Sequence, residues 1–69
     1  MIAKYIMTNA GPIIFPDSFK HSDFLCFKPT SAGSVRIADC GVWVHGGSVS
    51  LNMQTRKEDA ILISKAFFM

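Results

Sequence analysis

Two histidines and two cysteines stand in palindromic order along the chain: His21, four residues, Cys26, thirteen residues, Cys40, four residues, His45. Two imidazoles and two thiolates make a permissible tetrahedral zinc set. The local spacing argues against it. Five residues along a helix rotate the side chain by about 140°, which sends His21 and Cys26 apart. Cys40 and His45 differ by an odd number along a strand and its turn, so they tend to opposite faces. Two small buried thiols, two ordinary histidines and no metal are expected. A Cys–His pair acts as nucleophile and base only where the fold brings the two together, and nothing local does so. The sequence holds no nucleophile elbow, no glycine-rich phosphate loop and no HExxH. Its carboxylates are Asp17, Asp23, Asp39, Glu58 and Asp59, and Asp17, Asp39 and Glu58 have structural roles as caps or turn residues. Measured against the parts an active site requires, the chain reads as non-enzymatic and without a cofactor.

A different chemistry is offered by Arg36, Trp43 and His45. A cation beside an exposed aromatic ring is how single-stranded bases are stacked and held. One aromatic and one arginine make a thin platform, and Arg56, Lys57 and Lys65 are interspersed with Glu58 and Asp59, the mixture of a solvated helix face. Nucleic-acid binding is therefore the alternative function. Trp43 also suits a protein interface, because a rigid ring buries much area at little entropic cost.

The elements that position these residues follow from periodicity and turn signals. Residues 2–8 (IAKYIMT) read as a strand. Asn9-Ala10-Gly11-Pro12 is a turn signal, with a short strand at Ile13-Ile14-Phe15 after it. A short helix near 18–26 is expected, capped by Asp17 or Ser18, with Phe19, Cys26 and Phe27 on one side, and ended by Lys28-Pro29. Asp39-Cys40-Gly41 and Gly46-Gly47 are hairpin turns that divide 34–53 into a three-stranded meander: 34–38, 42–45 and 48–53. A two-residue turn at Gly46-Gly47 pairs His45 with Ser48, Val44 with Val49, Trp43 with Ser50 and Val42 with Leu51. Val42, Val44, Val49, Leu51 and Met53 then share a core face, and Trp43 and His45 point the other way. If Ile37 pairs with Val42, then Val35 and Ile37 join the core and Arg36 lies beside Trp43. A bulge at Gly41 would reverse that register. Whether strand 2–8 pairs within the chain or across a subunit boundary is open.

Thr55-Arg56-Lys57-Glu58 fits a capping box for a C-terminal helix. Along it Ala60, Leu62, Ile63, Ala66 and Phe67 form a broad stripe for packing on a sheet. Ile61 and Phe68 lie on nearly the opposite side. The expected fold is one α+β domain over 1–69: a small antiparallel sheet with the C-terminal helix packed on one face.

Composition sets the functional class. Of 69 residues, 49 % are hydrophobic and 17 % charged, yet a domain this small buries only about 60 % of the surface its unfolded chain exposes. The surplus belongs on a surface that another chain covers. A net charge of +2 is too small for the field of a dedicated nucleic-acid binder. No apolar run reaches the roughly 18 residues of a membrane span, no signal peptide opens the chain, and two cysteines suit reduced thiols in a cytoplasm. A small cytoplasmic protein that self-associates as a homodimer or higher oligomer, through Trp43, Ile61, Phe68 and Met69, is expected. In size, and in ending on a capped helix, the chain resembles small accessory proteins of phage and prophage genomes; the resemblance carries no functional residue.

Overall fold

Ile2–Thr8 (β1) carries apolar side chains on both faces: Ala3, Tyr5 and Met7 on one and Ile6 on the other, all of them buried. Two-sided burial is the signature of a strand covered above and below. In the computed structural model, which describes residues 2–48 and 51–68 with the side chain of Phe68 left out, β1 is accordingly central. It pairs antiparallel with Gly11–Phe15 (β2) on one side and Ser31–Ala38 (β3) on the other, and β3 pairs with Gly41–His45 (β4). The order is β2-β1-β3-β4. Strand 2–8 thus pairs within its own chain along both edges. A second, two-stranded sheet joins Gly47–Ser48 (β5) to Met53–Gln54 (β6), and Lys57–Phe68 (α1) follows. The fold is α+β, with α1 packed on the four-stranded sheet.

Parity divides the sheet into two cores. Ala3, Tyr5, Met7 and Val35 pack with Ile63 of α1, flanked by Ile14, Ile37, Val42 and Val44. On the reverse face Ile6, Phe15 and Ala32 meet Ile13, Phe24, Leu51 and Met53. The β3–β4 hairpin has the register without a bulge: Ile37 faces Val42, Val35 faces Val44 and Arg36 faces Trp43.

The meander stops one strand early. Ser48 pairs with Met53, not with His45, and Gly47 pairs with Gln54. Gly46, at φ +72°, takes the left-handed conformation that glycine adopts without steric cost, and redirects the chain there. Leu51 and Met53 consequently pack against the reverse core rather than beside Val42 and Val44. The expected partners Val49 and Ser50 lie outside the described residues.

The short helix is a 3-10 helix, His21–Phe27, beginning after Lys20 and not after Asp17 or Ser18. The Lys20 amide donates to Asp23 Oδ2 at 3.1 Å, which closes its first turn. Its packing residue is Phe24, stacked on Phe15 with centroids 4.1 Å apart, whereas Phe19, Cys26 and Phe27 are exposed. Lys28 ends it in the left-handed region, at φ 54°.

At α1 the cap moves by one residue. Asp59 Oδ2 accepts from the Arg56 amide at 3.0 Å, while the Thr55 hydroxyl turns instead toward the backbone carbonyls of His45 (3.3 Å) and Ala32 (3.4 Å). The buried face of the helix is correspondingly narrow. Asp59 and Ile63 are fully buried, one turn apart, but Leu62 and Phe67 of the expected core stripe are 39 % and 49 % exposed.

Candidate functional site

The reverse sheet face is only half covered. Its inner rows, Ile13–Ile6–Ala32 and Phe15, lie under the 3-10 helix segment and the β5–β6 hairpin. The outer rows run across β1, β3 and β4 as Ile2–Arg36–Trp43 and Lys4–Ser34–His45. Antiparallel partners point the same way, so these six side chains share one surface. Ile2 is 68 % and Trp43 47 % exposed, and Arg36 and His45 are exposed with them. The Arg36 guanidinium carbon lies 5.7 Å from the centroid of the Trp43 ring, within cation–π range. Lys4 is less free, since its Nζ donates to the Phe19 carbonyl at 2.8 Å. The three residues singled out for nucleic-acid binding, Arg36, Trp43 and His45, are therefore brought together on a cationic, aromatic half-face.

The outer side of α1 is a second open surface. Ile61 is 59 % exposed and Leu62 lies beside it on the helix, between Glu58 and Lys65. Of the expected interface set, Trp43 is on the opposite side of the sheet from α1, so Trp43 and Ile61 do not form one patch. The side chains of Phe68 and Met69 lie outside the described residues.

The densest polar chemistry is where the sequence pattern gave least warning. Asp59, with no solvent exposure, accepts at Oδ2 from the Tyr5 hydroxyl at 2.6 Å, the Ser31 hydroxyl at 2.7 Å and the Arg56 amide. Arg56 Nε stands 3.5 Å from Asp59 Oδ1 and 3.1 Å from Glu58 Oε1. Burial pushes the Asp59 carboxyl up, but the bonds from Tyr5, Ser31 and the Arg56 backbone, with the Arg56 charge, hold it below the usual carboxylate range. Burial, reinforced by the bond to Asp59, pushes the Tyr5 phenol well above its ordinary value. Both groups keep their neutral-pH states, phenol and carboxylate, and neither reaches solvent. The network pins α1 to β1 and β3. One signal for it existed: Asp59 sits one turn before Ile63 on the same helix face, opposite a tyrosine in the middle of a buried strand.

The palindromic set does not assemble. His21 is buried with its ring edge-on to Phe15, and its Nε2 lies 2.9 Å from the Gly33 carbonyl, to which it donates. Cys26 and Cys40, expected to be buried, are exposed free thiols. Among the described residues no three of the His, Cys, Asp and Glu side chains are grouped as metal ligands. A groove of about 430 Å³ along the β5–β6 hairpin is lined, among the described residues, by Gly46, Gly47, Ser48, Asn52, Met53 and Gln54, none of them ionisable. No helix among the described residues is long and apolar enough to cross a membrane. Comparison with protein-family models, with curated proteins and with solved structures returned no match for this chain.

Proposed function

We propose that the protein is a small binding protein that acts by contact rather than by catalysis, and that it self-associates. The observation that carries this is the outer face of α1. A twelve-residue helix buries Asp59 and Ile63 and leaves Ile61 and Leu62 exposed side by side on its outward face, so part of the apolar surplus of the composition stands on one helix face. Exposed apolar surface of that kind belongs to interfaces. The sealed Tyr5–Asp59 network supports the absence of catalysis, because a substrate has no path to it. Exposed, unpaired Cys26 and Cys40 suit a reducing cytoplasm. The test is solution mass by light scattering over a range of protein concentration. Ile61→Asp should yield a folded protein of lower oligomeric order. A wild-type monomer at every concentration, or an oligomer indifferent to that change, refutes self-association through α1.

A second function is favoured by one specific observation, the Arg36 guanidinium over the Trp43 ring. It suits single-stranded nucleic acid, with a base stacked on Trp43 and phosphates near Arg36 and His45. Affinity for a short single-stranded oligonucleotide should then fall as salt rises and vanish in Trp43→Ala. No binding at about 50 mM salt, where non-specific attraction is strongest, removes it.

A further inference from the structure

Four of the outward residues of α1 are placed symmetrically along the helix. Glu58, Ile61, Leu62 and Lys65 are spaced three, one and three residues apart, and at about 100° per residue they fall within an arc of about 100°. Asp59 and Ile63, which face the sheet, lie outside that arc. The midpoint of Glu58 and Lys65 coincides with the midpoint of Ile61 and Leu62. A two-fold axis through that point, perpendicular to the helix, sets a second α1 antiparallel to the first. Glu58 then faces the partner's Lys65, Lys65 faces the partner's Glu58, and the Ile61 and Leu62 side chains meet in the middle. An isologous contact requires such self-complementarity, in which residue i meets j and j meets i.

Resting on the self-association proposed above, we infer that the occupant of this face is a second copy of the chain, with the two α1 helices packed antiparallel about a two-fold axis between Ile61 and Leu62. Charge complementarity selects this occupant and this direction. A parallel pair would set Glu58 against Glu58 and Lys65 against Lys65, and like charges facing each other repel. Glu58 already has Arg56 Nε at 3.1 Å, so the partner's Lys65 joins an existing ion pair rather than neutralising a lone carboxylate. The mates of two helices of about 18 Å cover less than the roughly 800 Å² per partner of a standard interface. The dimer is therefore concentration-dependent, and its charges weigh visibly in its affinity.

Charge exchange tests the geometry on the full chain. Glu58→Lys alone and Lys65→Glu alone each turn both attractive pairs repulsive. An exposed pair changes an equilibrium by a factor of about 1.4 to 5, and two pairs with reversed sign should weaken the dimer about tenfold in sedimentation equilibrium at low salt. The double variant Glu58→Lys/Lys65→Glu restores the match and should return to within about twofold of wild type. An equimolar mixture of the two single variants should form a heterodimer tighter than either alone. Circular dichroism checks that each variant keeps its helix; the double variant retains any damage that a lysine does to the first turn, so its recovery is a matter of pairing alone. A dimer that Ile61→Asp disrupts but charge exchange leaves untouched overturns the antiparallel arrangement and spares self-association. A protein monomeric throughout overturns both.

Discussion

Asp59 is the residue whose replacement should do most harm. Its carboxylate takes hydrogen bonds from Tyr5, Ser31 and the Arg56 amide with no solvent exposure. A hydrogen bond to a charged group contributes about 1.5–3 kcal/mol, and a buried donor left without a partner costs about 1–3 kcal/mol. Removing one partner of a buried polar cluster typically costs about 3–5 kcal/mol. At about 0.05–0.15 kcal/mol per residue, a chain of 69 residues has only about 3–10 kcal/mol in total, so Asp59→Ala should remove about a third of it or more. Tyr5→Phe is the milder variant. It removes one donor, leaves the carboxylate two, and should cost about 2 kcal/mol. With a urea slope near 1 kcal/mol/M for so small a domain, the midpoint falls by about 2 M, read by far-ultraviolet circular dichroism. The pH dependence has a definite sign. The folded carboxyl is held below its unfolded value of about 3.9, so its contribution is present above that pH and is lost as the pH falls through the depressed folded value. Asp59→Asn should lack this loss. A midpoint shift under about 0.5 M in Tyr5→Phe, or parallel acid curves for wild type and Asp59→Asn, refutes the assignment of this network as the pin of α1.

Other positions give sharper local tests. At Gly33 an added Cβ would meet the Thr55 hydroxyl, with the His45 carbonyl at 3.0 Å and the Tyr5 ring at 3.3 Å; Gly33→Ala should cost about 1–3 kcal/mol by overpacking, seen as a lower urea midpoint. Lys28 holds φ 54° directly before Pro29, a conformation that costs a non-glycine residue about 1 kcal/mol. Lys28→Gly should therefore be neutral or stabilising, and a clear loss of stability in thermal unfolding would mean that the lysine side chain has a role of its own.

How much of this was legible from sequence depends on the range of the interaction concerned. Strand 2–8, a turn at Asn9-Ala10 and the terminal helix are set by alternation and turn residues within a few positions and appear where the pattern puts them, whereas the β3–β4 register, which the pattern left open, takes the form without a bulge. The central place of β1 is different. It rests on pairing Ile2 with Arg36 and Met7 with Ser31, contacts that no local pattern encodes. The third meander strand failed because Gly46-Gly47 is compatible with a hairpin turn and equally with a change of direction. The helix stripe was drawn too wide because Asp59 was counted among the charges of a solvated helix face; it is both cap and core, and by drawing its own side of α1 onto Tyr5 and Ser31 it turns Leu62 outward. Of the candidate site, the neighbourhood of Arg36 and Trp43 was readable once the register was fixed. The Tyr5–Asp59 bond was not, since it joins residues 54 positions apart.

That separation bears on how the chain is born. At about 5–20 residues per second on the ribosome, Tyr5 is made some 3–11 s before Asp59 exists to accept its hydrogen bond. Until Asp59 and Ile63 follow, Ala3, Tyr5 and Met7, joined by Val35 once it is made, are the apolar side of a sheet with no helix over it. The β1–β2 and β3–β4 hairpins are local enough to form in microseconds, so a half-finished protein is an adhesive ribbon rather than an unstructured thread. Nascent chains of this protein are thus exposed to capture, by chaperones or by one another, until the first two turns of α1, which carry Asp59 and Ile63, have been added.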